Sequence, residues 1–178
     1  MSNCIFDGTT SWSASCNNQH YWTVLLLGSD DKITFAYNHF YHDSGRAPKI
    51  GGAGGQHVQF VNNYFNTMGG HAFDISTGAN ALIEGNYFNA VTTPMTSASS
   101  SYSGTLYTVG TSAAASACSS YLGRSCQTNT LASSGSWPSY TSTTVLSWMK
   151  TYVNYLIAPM AAGSVPSYVT AHAGPGKS

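Results

Sequence analysis

Two short segments hold the side chains best suited to chemistry. Ser44-Gly45-Arg46-Ala47-Pro48-Lys49 carries two of the six Lys and Arg residues in a chain of 178. Only 7% of the residues are charged, so cations three residues apart invite an anion, or negative charge developing in a transition state. In an extended strand positions 46 and 49 point to opposite faces, and both serve one site only if the turn at Pro48 breaks that alternation. The second segment, Gln19-His20-Tyr21-Trp22, stands at the mouth of the apolar run Thr23–Leu27. Aromatic clusters of this kind, here His20, Tyr21 and Trp22, stack on sugar rings when exposed. The competing readings are a solvated surface pair for Arg46 and Lys49, and a core position in the following strand for Trp22.

Composition removes several classes of function. Lys plus Arg and Asp plus Glu number 6 each, a formal charge of zero, which argues against a nucleic-acid binder with its basic stripe. The carboxylates are scattered, the six His dispersed, and the four Cys form no CxxC pair, so neither a metal site nor a cofactor is expected. No apolar run approaches the ~18 residues of a membrane span. Met1-Ser-Asn-Cys does not read as a secretory signal. The Ser, Thr, Asn, Tyr and Gly surface style and the cysteines nevertheless favour the trimmed piece of a secreted protein. Cys118 and Cys126 enclose SSYLGRS and suit a local disulfide in that setting. Cys16 lacks an obvious partner. It either bridges to Cys4 or pairs outside the chain.

An internal echo says what must position these groups. Residues 33–40 read ITFAYNHF, 58–65 VQFVNNYF and 81–88 ALIEGNYF, and the opening SNCIF fits the frame with Cys4 at the Asn place and Phe6 at the Phe place. Each unit is a short alternating strand ending in Asn-x-Phe, then a second strand: Ala47–Ile50, His71–Ile75, and Ala90–Thr92. No helix fits between them. A chain that returns every ~23 residues without a helix must coil, which predicts a parallel β-helix. Asn38, Asn63 and Asn86 then stack at a turn, tolerating left-handed backbone and hydrogen-bonding along the axis, while Phe40, Phe65 and Phe88 stack inside. In this frame Cys4 points inward and stays reduced. An antiparallel sheet is the alternative, but the Asn-Gly and Asp-Gly hairpin turns it would need are nearly absent, Asp7-Gly8 being the one candidate.

The pattern fades after Val91. The expected organisation is a single domain: coils over 1–93, a Ser/Thr/Ala-rich surface loop over 94–140, and a helix with an extended tail packed on the coil over 141–178. Val145, Met149, Tyr152 and Leu156 mark the apolar face of that helix, with Ser142 or Thr143 as cap and Pro159 as its end.

The HYW and GRxPK segments, the NxF units, GHAF at 70–73 and the Cys-x7-Cys loop with GRSCQ at 123–127 together resemble fungal pectin lyase over nearly the whole chain. The resemblance implies an all-β, right-handed parallel β-helix that cleaves methyl-esterified polygalacturonate by β-elimination, secreted, monomeric and without a calcium requirement. It assigns proton abstraction to Arg46, substrate and enolate binding to Lys49, and cleft aromatics to Tyr21 and Trp22. A neutral methyl ester needs no metal to cancel its charge, which suits a chain poor in carboxylates. An Arg base requires positive surroundings and desolvation, because a guanidinium ordinarily stays charged.

Against the family pattern the chain is expected to be a C-terminal part. The earlier coils with their capping helix, a cleft Asp, a second cleft Arg and the partner of Cys16 would lie in the other half. Leu25 and Leu27 stand where relatives often carry Tyr and Asp, which alters one wall of the groove. Reduced or absent activity is therefore expected. The alternative is a noncatalytic polysaccharide-binding or structural β-helix, and a weaker third reading is a calcium-dependent pectate lyase.

Overall fold

The structure, a computed structural model, describes residues 1–52 and 54–177. The first coil supplies β1 (Ile5–Asp7) and β2 (Leu25–Leu26), and the second β3 (Lys32–Ala36), β4 (His39–Tyr41) and β5 (Lys49–Ile50). The third contains β6 (Gln56–Val61) and the long bent β7 (Tyr64–Ile75), and the fourth β8 (Ala79–Glu84) and β9 (Tyr87–Met95). A further coil adds β10 (Leu106–Thr108) and β11 (Thr130–Ala132). Every ladder between these strands is parallel. One face stacks β3, β6, β8 and β10, and a second stacks β1, β4, β7, β9 and β11. The far part of β7 leaves the second face to pair with β5, which pairs with β2. These are the stacked sheets of a parallel β-helix.

The Asn frame holds. Asn38 Nδ2 donates to Asn63 Oδ1 at 2.9 Å, and Asn63 donates to Asn86 at 3.0 Å. Each side-chain oxygen also accepts the backbone N–H of the preceding rung, from Cys4 to Asn38 (3.0 Å) and from Asn38 to Asn63 (3.1 Å). The left-handed residue lies one position earlier than expected, at Asn3, Tyr37, Asn62 and Gly85. The ladder Asn is thus chosen for its amide rather than for its backbone tolerance. Inside the coil Phe6, Phe40, Phe65 and Phe88 stack with centroids 4.6, 4.7 and 4.8 Å apart. Cys4 takes its predicted rung, half-buried and unpaired rather than sealed in the core, with Sγ against Ser2 O.

Two expectations are corrected. Residues 94–140 are not a loop, since β10 and β11 continue the coil and Asn129 supplies a fourth rung, accepting from Asn86 Nδ2 at 3.0 Å. The echo is hard to see there because Asn129-Thr-Leu replaces Asn-x-Phe and lies 43 residues after Asn86. That interval accommodates α1 (Ser112–Ala117), α2 (Ser119–Leu122) and the Cys118–Cys126 disulfide. Among the described residues the C-terminal region also holds two α-helices rather than one, with short 3-10 turns between them. The first, α3 (Thr143–Thr151), buries Val145, Leu146 and Met149 against Leu82, Tyr107 and the disulfide, but stops well before Pro159. The coil captures the backbone beyond it: Ile157 N–H donates to Gln59 Oε1 and Met160 N–H to Asn62 Oδ1, diverting both from helical partners. Ser142 caps nothing and donates instead to Gly104 O. The tail expected to be extended forms α4 (Val165–His172), with Pro166 in its first turn and Val165 and Val169 buried; Ser178 lies outside the described residues. Arg124 of the GRSCQ string is structural, forking onto the buried Glu84 at 2.7 and 2.9 Å. Among the described residues no helix is long and apolar enough to cross a membrane.

Asn63 is the rung with most to lose. Its Nδ2 also donates to Phe35 O at 2.9 Å, so truncation leaves several buried groups unpaired. Asn63→Ala should cost about 3 kcal/mol or more of unfolding free energy. A denaturant titration showing a loss under about 1 kcal/mol would remove the ladder as a major source of stability.

Candidate active site

The face built from β2, β5 and the far part of β7 gathers the two segments singled out above. Parallel pairing lays residues 20–26 beside 43–51: Ser44 N–H donates to His20 O (2.7 Å), Val24 N–H to Arg46 O (2.9 Å) and Lys49 N–H to Val24 O (2.9 Å). The alternation that would separate positions 46 and 49 is broken at Arg46 itself, whose φ of +49° is left-handed. As a result both cations reach one oxygen. Lys49 Nζ stands 3.2 Å and Arg46 Nε 3.5 Å from Asp74 Oδ2. All three side chains are partly shielded, with exposures between 17% and 31%, so this is an ordered ion-paired cluster and not a solvated surface pair.

The aromatics join unevenly. The Arg46 guanidinium lies 5.5 Å from the Tyr21 ring centroid, within reach of a cation–π contact. Tyr21 meets Trp22 and His71 edge-on at 5.2 and 5.6 Å. Trp22 is 49% exposed, which removes the core reading and leaves much of the residue open to solvent. His20 lies at the exposed rim and enters through its backbone, its N–H donating to Gly8 O and its carbonyl accepting from Ser44. Cys118–Cys126 belongs to the second core under α3 and α2, apart from the groove.

Three residues of this face were not named as site candidates in the sequence: Asp74, Asp43, and His71, which was noted only within GHAF. The signal for Asp74 and His71 was present. Lys49 to Asp74 and Arg46 to His71 are both 25 residues, the interval that separates Asn38 from Asn63. Lys49 and Asp74 are direct ladder partners. Burial holds the His71 imidazole below the usual histidine range, with Arg46 and Lys49 pushing the same way and Asp74 opposing. Asp43 is fully buried behind the loop, and burial pushes its carboxyl up to about 7. Among the described residues no group of three or more His, Cys, Asp or Glu is arranged to hold a metal ion.

A family profile described as pectate lyase matches residues 12–178, and the chain belongs to the pectate lyase family. It is 47% identical over 180 residues to the probable pectin lyase F-1 of Aspergillus terreus, with 99% of this chain and 46% of that protein covered. It is 48% identical over 180 residues to the probable pectin lyase F of Neosartorya fischeri, covering 99% of the chain and 47% of the relative. The probable pectin lyase E of Aspergillus fumigatus is 47% identical over the same length and shares. The chain spans about half the length of the curated relatives it matches.

Gly45 is the packing constraint of the groove. A Cβ there would stand 2.7 Å from Tyr21 Cε2 and 3.0 Å from His71 Cε1, and the backbone is not left-handed, so the obstacle is steric. Gly45→Ala should lower stability by about 1–3 kcal/mol. The loss should shrink in a Tyr21→Ala background, where the clash is relieved. Equal losses in both backgrounds, by thermal unfolding, would mean that Tyr21 does not pack there.

Proposed function

We propose that this face is the catalytic wall of a pectin lyase, which cleaves methyl-esterified galacturonan by β-elimination. The observation that carries the reading is the convergence of Arg46 and Lys49 on one oxygen beside Tyr21. Two cations spaced to share a carboxylate oxygen are spaced to share the ester carbonyl oxygen, on which charge builds as C5 loses its proton. In this scheme Arg46, deprotonated beside the Lys49 cation, takes the C5 proton and becomes the second cation at the enolate oxygen; the C5–H pair becomes the C4=C5 double bond, and the 4-linked oxygen departs with the preceding sugar and takes a proton from solvent. Lys49 holds the enolate oxygen. Tyr21 and Trp22 support the sugar faces, with His20 at the rim. Asp74 orders two long side chains that would otherwise sample many rotamers. The fungal relatives named as pectin lyases support the same substrate class, and the disulfide suits an oxidising, extracellular setting.

The same reading takes the coil to wind right-handed, as parallel crossovers overwhelmingly do, and the protein to act as a secreted monomer. The relatives have about twice the length, so these coils are expected to supply one part of the groove and to be weakly active by themselves. A second reading, noncatalytic binding of the polysaccharide, is favoured by that same coverage together with the half-exposed Trp22.

The readout is ultraviolet absorbance of the 4,5-unsaturated product from highly methylated pectin. Arg46→Ala should lower the rate by at least about 100-fold, and Lys49→Ala by about 100- to 1,000-fold. A rate indifferent to both substitutions ends the assignment. Pectin affinity that survives Arg46→Ala but drops with Trp22→Ala, in the absence of any product, would establish the binding reading instead.

A further inference from the structure

Among the described residues Asp74 is the one acid in its row of the groove face. Its ladder partner on one side is Lys49, whose own partner beyond is Leu25. On the other side β9 ends at Met95, the partner of Phe73, and Thr96 follows it. The row therefore reads Leu25, Lys49, Asp74, Thr96: an apolar residue, a cation, an anion and a hydroxyl. Asp74 is held in that row by its N–H, which donates to Pro48 O at 3.0 Å, and by the buried Phe73 and Ile75 on either side.

Asp74 does not use up the cations it orders. Lys49 Nζ donates to Oδ2 with one of its three protons, and Arg46 Nε approaches the same oxygen at 3.5 Å without completing a hydrogen bond. With both cations charged the cluster carries one net positive charge, and with Arg46 as the free base it carries none. What it accepts then depends on the charge brought to it. An ester carbonyl can take donors from both side chains and brings no formal charge. A free carboxylate finds the same donors but stands beside Asp74. In a partly shielded site that repulsion is worth about five- to tenfold in affinity. Without Asp74 the pair would be a fork for any carboxylate. The elimination adds to the difference. As Arg46 takes the C5 proton the cluster regains its positive charge, which meets the single negative charge of an ester enolate; a free acid would gather two.

We propose that Asp74 is a specificity-determining residue: its charge bars a second carboxylate from the Arg46–Lys49 pair and leaves the pair to a neutral ester. The barring follows from the cluster alone, whereas the choice of methyl-esterified over free galacturonan rests on the groove being the galacturonan site. Asp74 acts through the field it lays across the two cations and does not touch the reacting atoms.

The experiment compares the native chain with Asp74→Asn and Asp74→Ser, which remove the charge, and with Asp74→Glu, which keeps it. Nitrogen NMR of labelled Arg and Lys follows Arg46 Nε and Lys49 Nζ as acetate is added at fixed ionic strength. Half-saturation should need about five- to tenfold less acetate in the two neutral variants than in the native chain or Asp74→Glu. That gap should shrink as sodium chloride is raised. Parallel titrations with a methyl-esterified and a free oligogalacturonide should show the ester-to-acid affinity ratio falling by a similar factor in the neutral variants and holding in Asp74→Glu. A carboxylate that only orders its neighbours would, when removed, weaken both ligands together and leave the ratio alone. Equal acetate sensitivity in the native chain and the neutral variants overturns the barring, and an acetate gap with an unchanged ester-to-acid ratio overturns the selection. An acetate gap with neither oligomer bound by any variant upholds the barring and sinks the galacturonan reading.

Discussion

A buried amide that cannot reach water must find both a donor and an acceptor, and the ladder asparagines find theirs chiefly in the neighbouring coils. That requirement sets the architecture. The Asn38–Asn63–Asn86–Asn129 column closes only when successive turns lie in register, and the same register places Phe over Phe and parallel strand over parallel strand. Once the rungs are locked, every position of one coil has a defined neighbour in the next. The groove is a by-product: Lys49 faces Asp74 because Ile50 must face Ile75.

The chemistry of the groove depends on scarcity. With so few charges in the chain, two cations and one carboxylate in a partly shielded trough dominate the local field, and few other ions stand near enough to dilute it. The second buried ion pair, Arg124 with Glu84, is spent on architecture. It fixes the segment after α3 through Gln59 and Ile157 O, on the β3–β6–β8–β10 face rather than the one that carries Lys49 and Asp74.

Much of this was legible in the residues. The Asn-x-Phe echo revealed the coil, and Arg46, Lys49, Tyr21 and Trp22 stood out by type and spacing. The rest was hidden for identifiable reasons. Asp74 and Asp43 lie in unremarkable strings, His71 was noted only as part of GHAF, and coil arithmetic is what brings Asp74 and His71 to Lys49 and Arg46. Asn129 escaped because an insertion with its own helices stretched the interval and Leu131 replaced the expected Phe. The early end of α3 was invisible because its cause, capture of Ile157 and Met160 by Gln59 and Asn62, is tertiary. α4 had a local signature in Pro166 with Val165 and Val169, masked by the Gly- and Pro-rich residues that follow.

In a solenoid each turn is supported only by the turns on either side of it. Among the described residues β2 pairs with β5 alone, whereas β5 has a strand on both flanks. The two halves of the groove therefore differ in mechanical character. Arg46 and Lys49 ride on a turn paired on both flanks, and Tyr21 and Trp22 on one whose strand pairs on a single flank among the described residues. The trough thus joins one jaw tied into the stack on two sides to another tied, within these coils, on one.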